Sequence, residues 1–380
     1  MKGIEVPERT EDFTADPVEL FFDLAYVFAF SQLVGRLVHE PDWTGVGRVA
    51  LLFGLLWLPW QQLTWAANAV SGNGRAVRLI FLVATAASVP MAASISTALG
   101  AGGPVFAITL GVIMVLGFLT QALSVDRGST FHRAVMRWVT PNAVALIVLV
   151  AGAFVAGRGR IVLWVLSLVI VLGAMIAAGR GDWIIRSGHF AERHALIVII
   201  ALGEVVVAIG VPVVQALEAG EGLPGSTVVA LVASGVFAGL LWWGYFDRVG
   251  PALERRAERI DGDAERGRFV RDVYTWAHAP IVAGIILAAA ALEEITLHPS
   301  DEVTVAFRMM LLGGLALGAF GIAAAVWRAF RAVARERIAA AVAIALVLLF
   351  GGSLKGTVIL VTVNLFIAAT LAIEHARIER

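Results

Sequence analysis

Twelve apolar runs, separated by short polar gaps, fill this chain from residue 18 to residue 374. A helix needs about 20 apolar residues to cross the roughly 30 Å hydrocarbon core of a bilayer. The runs lie at 18–38, 49–69, 78–98, 105–125, 140–156, 161–178, 191–214, 226–246, 270–292, 304–326, 338–350 and 355–374. They are continuous, without the strict polar–apolar alternation of a half-buried strand. The expected fold is therefore all-α: a polytopic transmembrane helix bundle of about 12 spans. The eleventh run is short, and the last two can form one re-entrant hairpin, which leaves ten or eleven spans open. Interior Gly and Pro do not veto these helices, since neighbouring helices re-satisfy the freed backbone groups.

Composition agrees. Hydrophobic residues make up 59% of the chain and charged residues 15%, against about 25% charged in soluble domains. Mean hydropathy is +0.86. A soluble enzyme and a disordered chain are both excluded. The 29 basic and 29 acidic residues cancel, so no basic field argues for nucleic acid. With no cysteine, disulfides, thiolate metal sites and Cys nucleophiles are excluded.

The gaps give the orientation. With the N-terminus inside, the cytosolic segments hold 22 Lys and Arg and the outer segments 4, namely Arg48, Arg158, Arg160 and Lys355. That asymmetry is the positive-inside pattern, and it favours an even number of spans. Residues 1–17 carry Glu5, Glu8, Glu11, Asp12 and Asp16. They read as a cytosolic tail and lack the basic region and apolar core of a signal peptide. Residues 18–374 form one transmembrane domain, with candidate halves at 18–178 and 191–374, and 375–380 form a cytosolic tail. The loop at 247–269 alternates Arg255, Arg256, Arg259 and Arg266 with Glu254, Glu258, Asp261 and Glu265. It reads as a solvated cytosolic helix with local ion pairs, an anionic lipid contact being the alternative.

An ionisable group inside a span costs roughly 2.5–3.5 kcal/mol on insertion scales, so each one needs a partner or a role. Glu19 and Asp23 stand four residues apart on one face of span 1. Glu192, Arg193 and His194 open span 7, and Glu204 follows near mid-bilayer. Asp247 closes span 8; Tyr274 and His278 lie one turn apart in span 9. Span 2 carries Trp57, Trp60, Gln61, Gln62, Trp65 and Asn68. Together these outline a polar cavity open to the cytosol and narrowing to Glu204. The candidate proton, ion or substrate pathway is Glu204, Asp23, Glu19, Glu192, Arg193, His278 and Asp247, with Trp57, Trp60, Trp65, Trp242 and Tyr274 as aromatic lining. The competing bland reading makes Glu19, Glu192, Arg193 and Asp247 interfacial charges at helix ends. It makes Trp43, Trp57, Trp65, Trp183, Trp242, Trp243 and Trp327 belt anchors. Partners for Glu204 are sought in His278 or in the Trp and Gln side chains of span 2.

Catalytic signatures are missing: HExxH, GxSxG and P-loop patterns do not occur. His189-Phe-Ala-Glu192-Arg193 has Arg where an inverted zinc motif needs its second His. No metal, no cofactor and no enzyme activity are expected.

The blocks VELFFDLAYVFAFSQL, AERHALIVIIALGEVVVAIG, LLWWGYFD and YTWAHAPIVAGI, in this order and spacing, resemble the bacterial low temperature requirement protein A family, over nearly the whole chain. One departure is Val205, which follows Glu204 where the family often has Ser. The resemblance implies a multi-pass protein of the bacterial inner membrane and supplies no substrate or reaction.

A weak internal echo suggests a 6+6 parallel repeat. Glu19 and Glu192 open spans 1 and 7, and Trp57 and Trp242 share an LLW context in spans 2 and 8. Arg78 and Arg268 each precede a proline by 12 residues. GxxxG spacings at Gly235–Gly239 and Gly314–Gly318 point to close helix packing; a homo-oligomer stays open. The leading expectation is a secondary transporter or proton-coupled permease for a small solute or ion. A gated cation channel, an integral-membrane enzyme and a scaffold are the alternatives.

Overall fold

The computed structural model describes residues 15–70, 74–123, 130–178, 185–333 and 335–378. The acidic tail to residue 14, Arg127, Arg180, Trp183 and Arg380 lie outside them. Among the described residues the regular structure is helical, apart from an isolated bridge between Glu302 and Lys355. The helices are α1 (Pro17–His39), α2 (Trp43–Ala67), α3 (Arg75–Ala93), α4 (Gly103–Leu123), α5 (Thr130–Ala153), α6 (Arg158–Ala178) and α7 (Ser187–Glu218). They continue with α8 (Gly225–Gly244), α9 (Gly250–Glu258), α10 (Asp263–Val270), α11 (His278–Leu297), α12 (Val305–Phe330), α13 (Arg335–Phe350) and α14 (Gly356–Ile378).

Ten helical segments among the described residues are long and apolar enough to cross a membrane. Two of the twelve expected spans fall outside that set. In α2 the residues Trp57, Pro59, Trp60, Gln61, Gln62 and Trp65 dilute an otherwise apolar helix. The 16 residues of α13 reach only about 24 Å at 1.5 Å each. The surface pattern is that of a lipid-solvated protein: Val162, Val169 and Ile176 form one exposed stripe on α6 and Val228, Val232 and Val236 another on α8. Polar side chains such as Glu19, Asp23, Arg193 and Glu204 are instead buried. This is a multi-pass helical membrane protein.

The expected 247–269 loop is two short helices, α9 and α10, parted by a turn in which Gly262 adopts a φ of +84°. Arg266–Asp263 at 3.7 Å and Arg268–Glu265 at 2.7 Å are its local ion pairs. On either side the backbone widens to π-helix, at Tyr245–Val249 and Arg271–Ala277. Such wider turns re-aim the side chains they carry and occur frequently at functional sites.

The chain divides into two compact units. The first comprises Met1–Leu33, Gly47–Leu196 and Glu254–Thr275. In it α3, α4, α5 and α6 pack in sequence as antiparallel neighbours. Arg160, at the start of α6, is 6% exposed and donates to Ala98 O at 3.0 Å, to Ala153 O at 2.8 Å and to Gly100 O. These are carbonyls at or beyond helix C-termini, which have no intrahelical donor. A cation expected to mark an outer loop thus caps two helix ends.

The second unit comprises Val34–Val46, Ile197–Leu253 and Trp276–Arg380. Here α11 packs along α12, α8 along α14, and α12, α13 and α14 follow one another. The α11–α12 crossing is made by glycines. A Cβ on Gly284 would come within 2.8 Å of Gly318 N, and one on Gly314 within 2.8 Å of Ala288 N. In lipid, helices associate by van der Waals contact and hydrogen bonds rather than by the hydrophobic effect, so backbone approach of this kind holds the pair. The Gly314–Gly318 spacing packs within the chain as expected. A Cβ at Gly235 or Gly239 meets nothing within 4 Å.

Candidate functional site

In the first unit, α1 presents Glu19 and Asp23 one turn apart, and α7 presents His189 and Arg193 one turn apart. These i, i+4 pairs share a face on their helices. The four side chains meet, each 0–1% exposed. Arg193 divides its fork: Nη1 donates to Glu19 Oε2, and Nη2 donates to Asp23 Oδ1 at 2.7 Å. His189 Nε2 lies 2.9 Å from Glu19 Oε2. A carboxylate only accepts, so that nitrogen carries the proton. Trp60 Nε1, from α2, is a second donor to Asp23 Oδ1, at 2.7 Å. The Arg193 guanidinium carbon also sits 5.6 Å from the Trp60 ring centroid and 6.0 Å from that of Phe81, within cation–π range.

Two features of this cluster are chemically unusual. Two carboxylates share one guanidinium, so the buried set carries one uncompensated negative charge unless it holds an additional proton. And Asp23 Oδ2 is buried with no hydrogen-bond partner among the described residues, while Oδ1 receives two donors. A buried polar atom left unpaired costs about 1–3 kcal/mol and calls for a reason.

A directional chain of hydrogen bonds runs beside the cluster. Trp65 Nε1 donates to Thr275 Oγ1 at 3.1 Å, and Thr275 Oγ1 donates to Gln61 Oε1 at 3.0 Å. Gln61 Nε2 lies 2.8 Å from His194 Nε2, and His194 Nδ1 lies 2.8 Å from Phe190 O. Since a carbonyl only accepts, Nδ1 carries the His194 proton and Nε2 accepts from Gln61. Trp57 Nε1 donates to Thr275 O at 3.2 Å. The π-helical turn at Arg271–Ala277 holds Thr275 in this chain and places the Tyr274 ring 5.2 Å from His194. Trp60 joins the two networks, its ring centroid 5.1 Å from that of His194.

Other expected residues lie elsewhere. Glu192 is half-buried and accepts from Ala15 N at 2.5 Å. Asn68 receives Arg186 N at 2.9 Å through its side chain and the Arg186 guanidinium through its carbonyl. In the second unit His278 Nε2 lies 2.6 Å from the Tyr245 hydroxyl, which the other π-helical turn presents. Glu204 is 1% exposed on α7. Asp247 is exposed and pairs with its neighbour Arg248 at 3.1 Å, and Trp242 is exposed as a belt residue would be. Glu19, Asp23 and Arg193, expected to line a cavity open to the cytosol, are out of reach of solvent.

Residues 14–373 match the bacterial low temperature requirement A protein family. The chain belongs to that family. An uncharacterized protein of Rhizobium meliloti (strain 1021) is 31% identical over 322 residues, covering 81% of this chain and 76% of its own length. No solved structure matches. In this family member the ELFFDL block supplies Glu19 and Asp23, the ERH block supplies Arg193 and His194, and the YTWAHAP block supplies Tyr274, Thr275 and His278. The side chains that the sequence reading left out are Thr275 and Tyr245, and His189 was weighed only as part of an inverted zinc motif. His189 was visible as the residue one turn before Arg193, on the face that must meet the carboxylates. Thr275 and Tyr245 were hidden, because the wider turns that aim them leave no mark in the apolar pattern.

Proposed function

We propose that this protein is a secondary transporter of the bacterial inner membrane, with both termini cytosolic, in which the Asp23–Arg193–Glu19–His189 cluster is the proton- or cation-coupling site. The observation that carries this reading is the buried Asp23 carboxylate, paired through one oxygen and unpartnered at the other. A group that must bind and release a proton or small cation needs a free lone pair and a charge imbalance that the loaded state relieves. Intramembrane ionisable residues of this kind mark ion and proton pathways. The closed cluster is read as an occluded conformation of a site that opens to the cytosol. Twelve spans, counting α2 and α13, and a 6+6 parallel repeat belong to the same reading, since repeats of this sort build alternating access.

Glu204, three helical turns beyond Arg193 in α7, is the second candidate coupling acid. Proteoliposomes loaded with a pH-sensitive dye and offered a panel of inorganic ions, amino acids and organic acids test both. The wild type is expected to move protons with one class of solute. Asp23→Asn and Glu204→Gln keep shape and hydrogen bonding but cannot carry the proton, and should fold and lose that movement. Full solute-driven proton flux in a folded Asp23→Asn protein overturns the coupling role of the cluster.

A further inference from the structure

The second unit contains an apolar cavity of about 250 Å³, lined by α7, α8, α11, α12, α13 and α14 through side chains such as Leu202, Leu240, Ile285, Leu315, Ile344 and Ile367. It shares Ala319, Ile322, Arg337 and Ala341 with a second space of about 560 Å³, so the two adjoin. The second space is different in chemistry. Arg248, Arg337 and Arg377 line it with Glu336 and Glu374, above an apolar floor of Phe320, Val326 and Phe330.

This mouth lies where α8, α12 and α14 end and α13 begins, the end of the helices that the distribution of Lys and Arg assigns to the cytosol. Three arginines (Arg248, Arg337 and Arg377) line it against two carboxylates (Glu336 and Glu374), and Arg328, Arg331 and Arg335 follow nearby in the chain. Arg337 is pre-oriented: Nε and Nη2 grip Glu374 at 2.7 and 2.9 Å, and Nη2 also donates to Gly244 O at 3.3 Å. Arg331 holds a left-handed backbone (φ 53°) at the end of α12 and lies 5.7 Å over the Trp327 ring. Trp242, Trp243 and Trp327 are about half exposed at this level, as headgroup-level aromatics are.

We propose that this groove is a binding site for one anionic phospholipid of the cytosolic leaflet, with an acyl chain in the apolar cavity and the phosphate at the arginine-rimmed mouth. Charge complementarity selects the occupant. Basic pockets between transmembrane helices on the cytoplasmic side suit anionic headgroups, and the fixed Arg337 fork lowers the ordering cost of phosphate binding. A neutral annular lipid would fill the same apolar slot and gain nothing from the mouth.

The test is native mass spectrometry of the delipidated full-length protein in detergent, titrated with phosphatidylglycerol or phosphatidylcholine of matched chains. One phosphatidylglycerol should bind at least tenfold more tightly than phosphatidylcholine. Gly318→Val is the informative variant. Gly318 lines the cavity, and a Cβ there meets nothing within 4 Å, so the added side chain starts from open space, takes up cavity volume and should abolish the preference. Arg248→Gln with Arg377→Gln, at the rim, should reduce it severalfold; the contacts these arginines give up, to His375 and Glu336, lie at the same rim. Equal binding of the two lipids, or an unchanged preference in both variants, overturns the site. Competition by millimolar inorganic phosphate would show a free-anion site and overturn the lipid assignment.

Discussion

Arg193 Nη2 lies 2.7 Å from Asp23 Oδ1, a contact between residues 170 apart in the chain and both at most 1% exposed. It ties α7 to α1 at the point where α2 adds Trp60. Removing one partner of a buried ion pair costs about 3–5 kcal/mol, because the other charge is left uncompensated. Arg193→Met should therefore lower the melting temperature in detergent markedly. Adding Glu19→Gln and Asp23→Asn should restore much of the loss, since a cluster of neutral groups has no charge to strand. A triple variant as unstable as the single one would show that the arginine acts by packing alone.

Trp60→Phe keeps an aromatic ring but deletes the second donor to Asp23 Oδ1. The expected destabilisation is about 1–3 kcal/mol, the price of a lost hydrogen bond to a buried charge. Denaturation of the purified protein should report it. Trp65→Phe deletes a donor to a neutral hydroxyl and should cost less.

Thr275→Val breaks the directional chain at its centre, leaving Gln61 Oε1 without the Thr275 hydroxyl. We expect a loss of about 1–3 kcal/mol and a changed His194 environment. The His194 ring NMR signals of labelled protein are the readout, and unchanged signals would detach His194 from the chain.

The glycine crossing of α11 and α12 predicts a contrast. Gly314→Val places methyl groups against Gly284 and Ala288 and should destabilise by about 1–3 kcal/mol through overpacking. Gly239→Ala, where a Cβ meets open space, should change the melting temperature by no more than a degree or two.

Orientation has a direct test, because the chain has no cysteine to remove. Gly222 and Gly262 are both exposed. A single Cys at position 222 should react with an impermeant reagent added outside intact cells, and one at position 262 should react only after lysis. The reverse pattern would invert the membrane orientation and place the arginine-rimmed groove in the outer leaflet.

The apolar runs by themselves determined that the chain is a helical membrane protein, and placed most helices to within a few residues. The reason is local: in a bilayer every backbone polar group must be satisfied within its own helix, so length and hydropathy suffice. Start and stop points were less legible where a helix extends past the hydrocarbon. Thus α5 begins at Thr130, ten residues before its apolar run, since Thr130–Val139 is helical without being apolar throughout. The i, i+4 spacing of Glu19 and Asp23 marked a polar face in the sequence, and Arg193 was the visible cation. Tertiary structure alone decided that one guanidinium serves both carboxylates, that His189 and Trp60 complete the set, and that Asp247 stays at the surface. Those outcomes depend on how α1, α2 and α7 are rotated against one another, and on π-helical turns that shift Tyr245 and Thr275 out of α-helical register. Both are set by long-range packing, which hydropathy and spacing along a single helix do not encode.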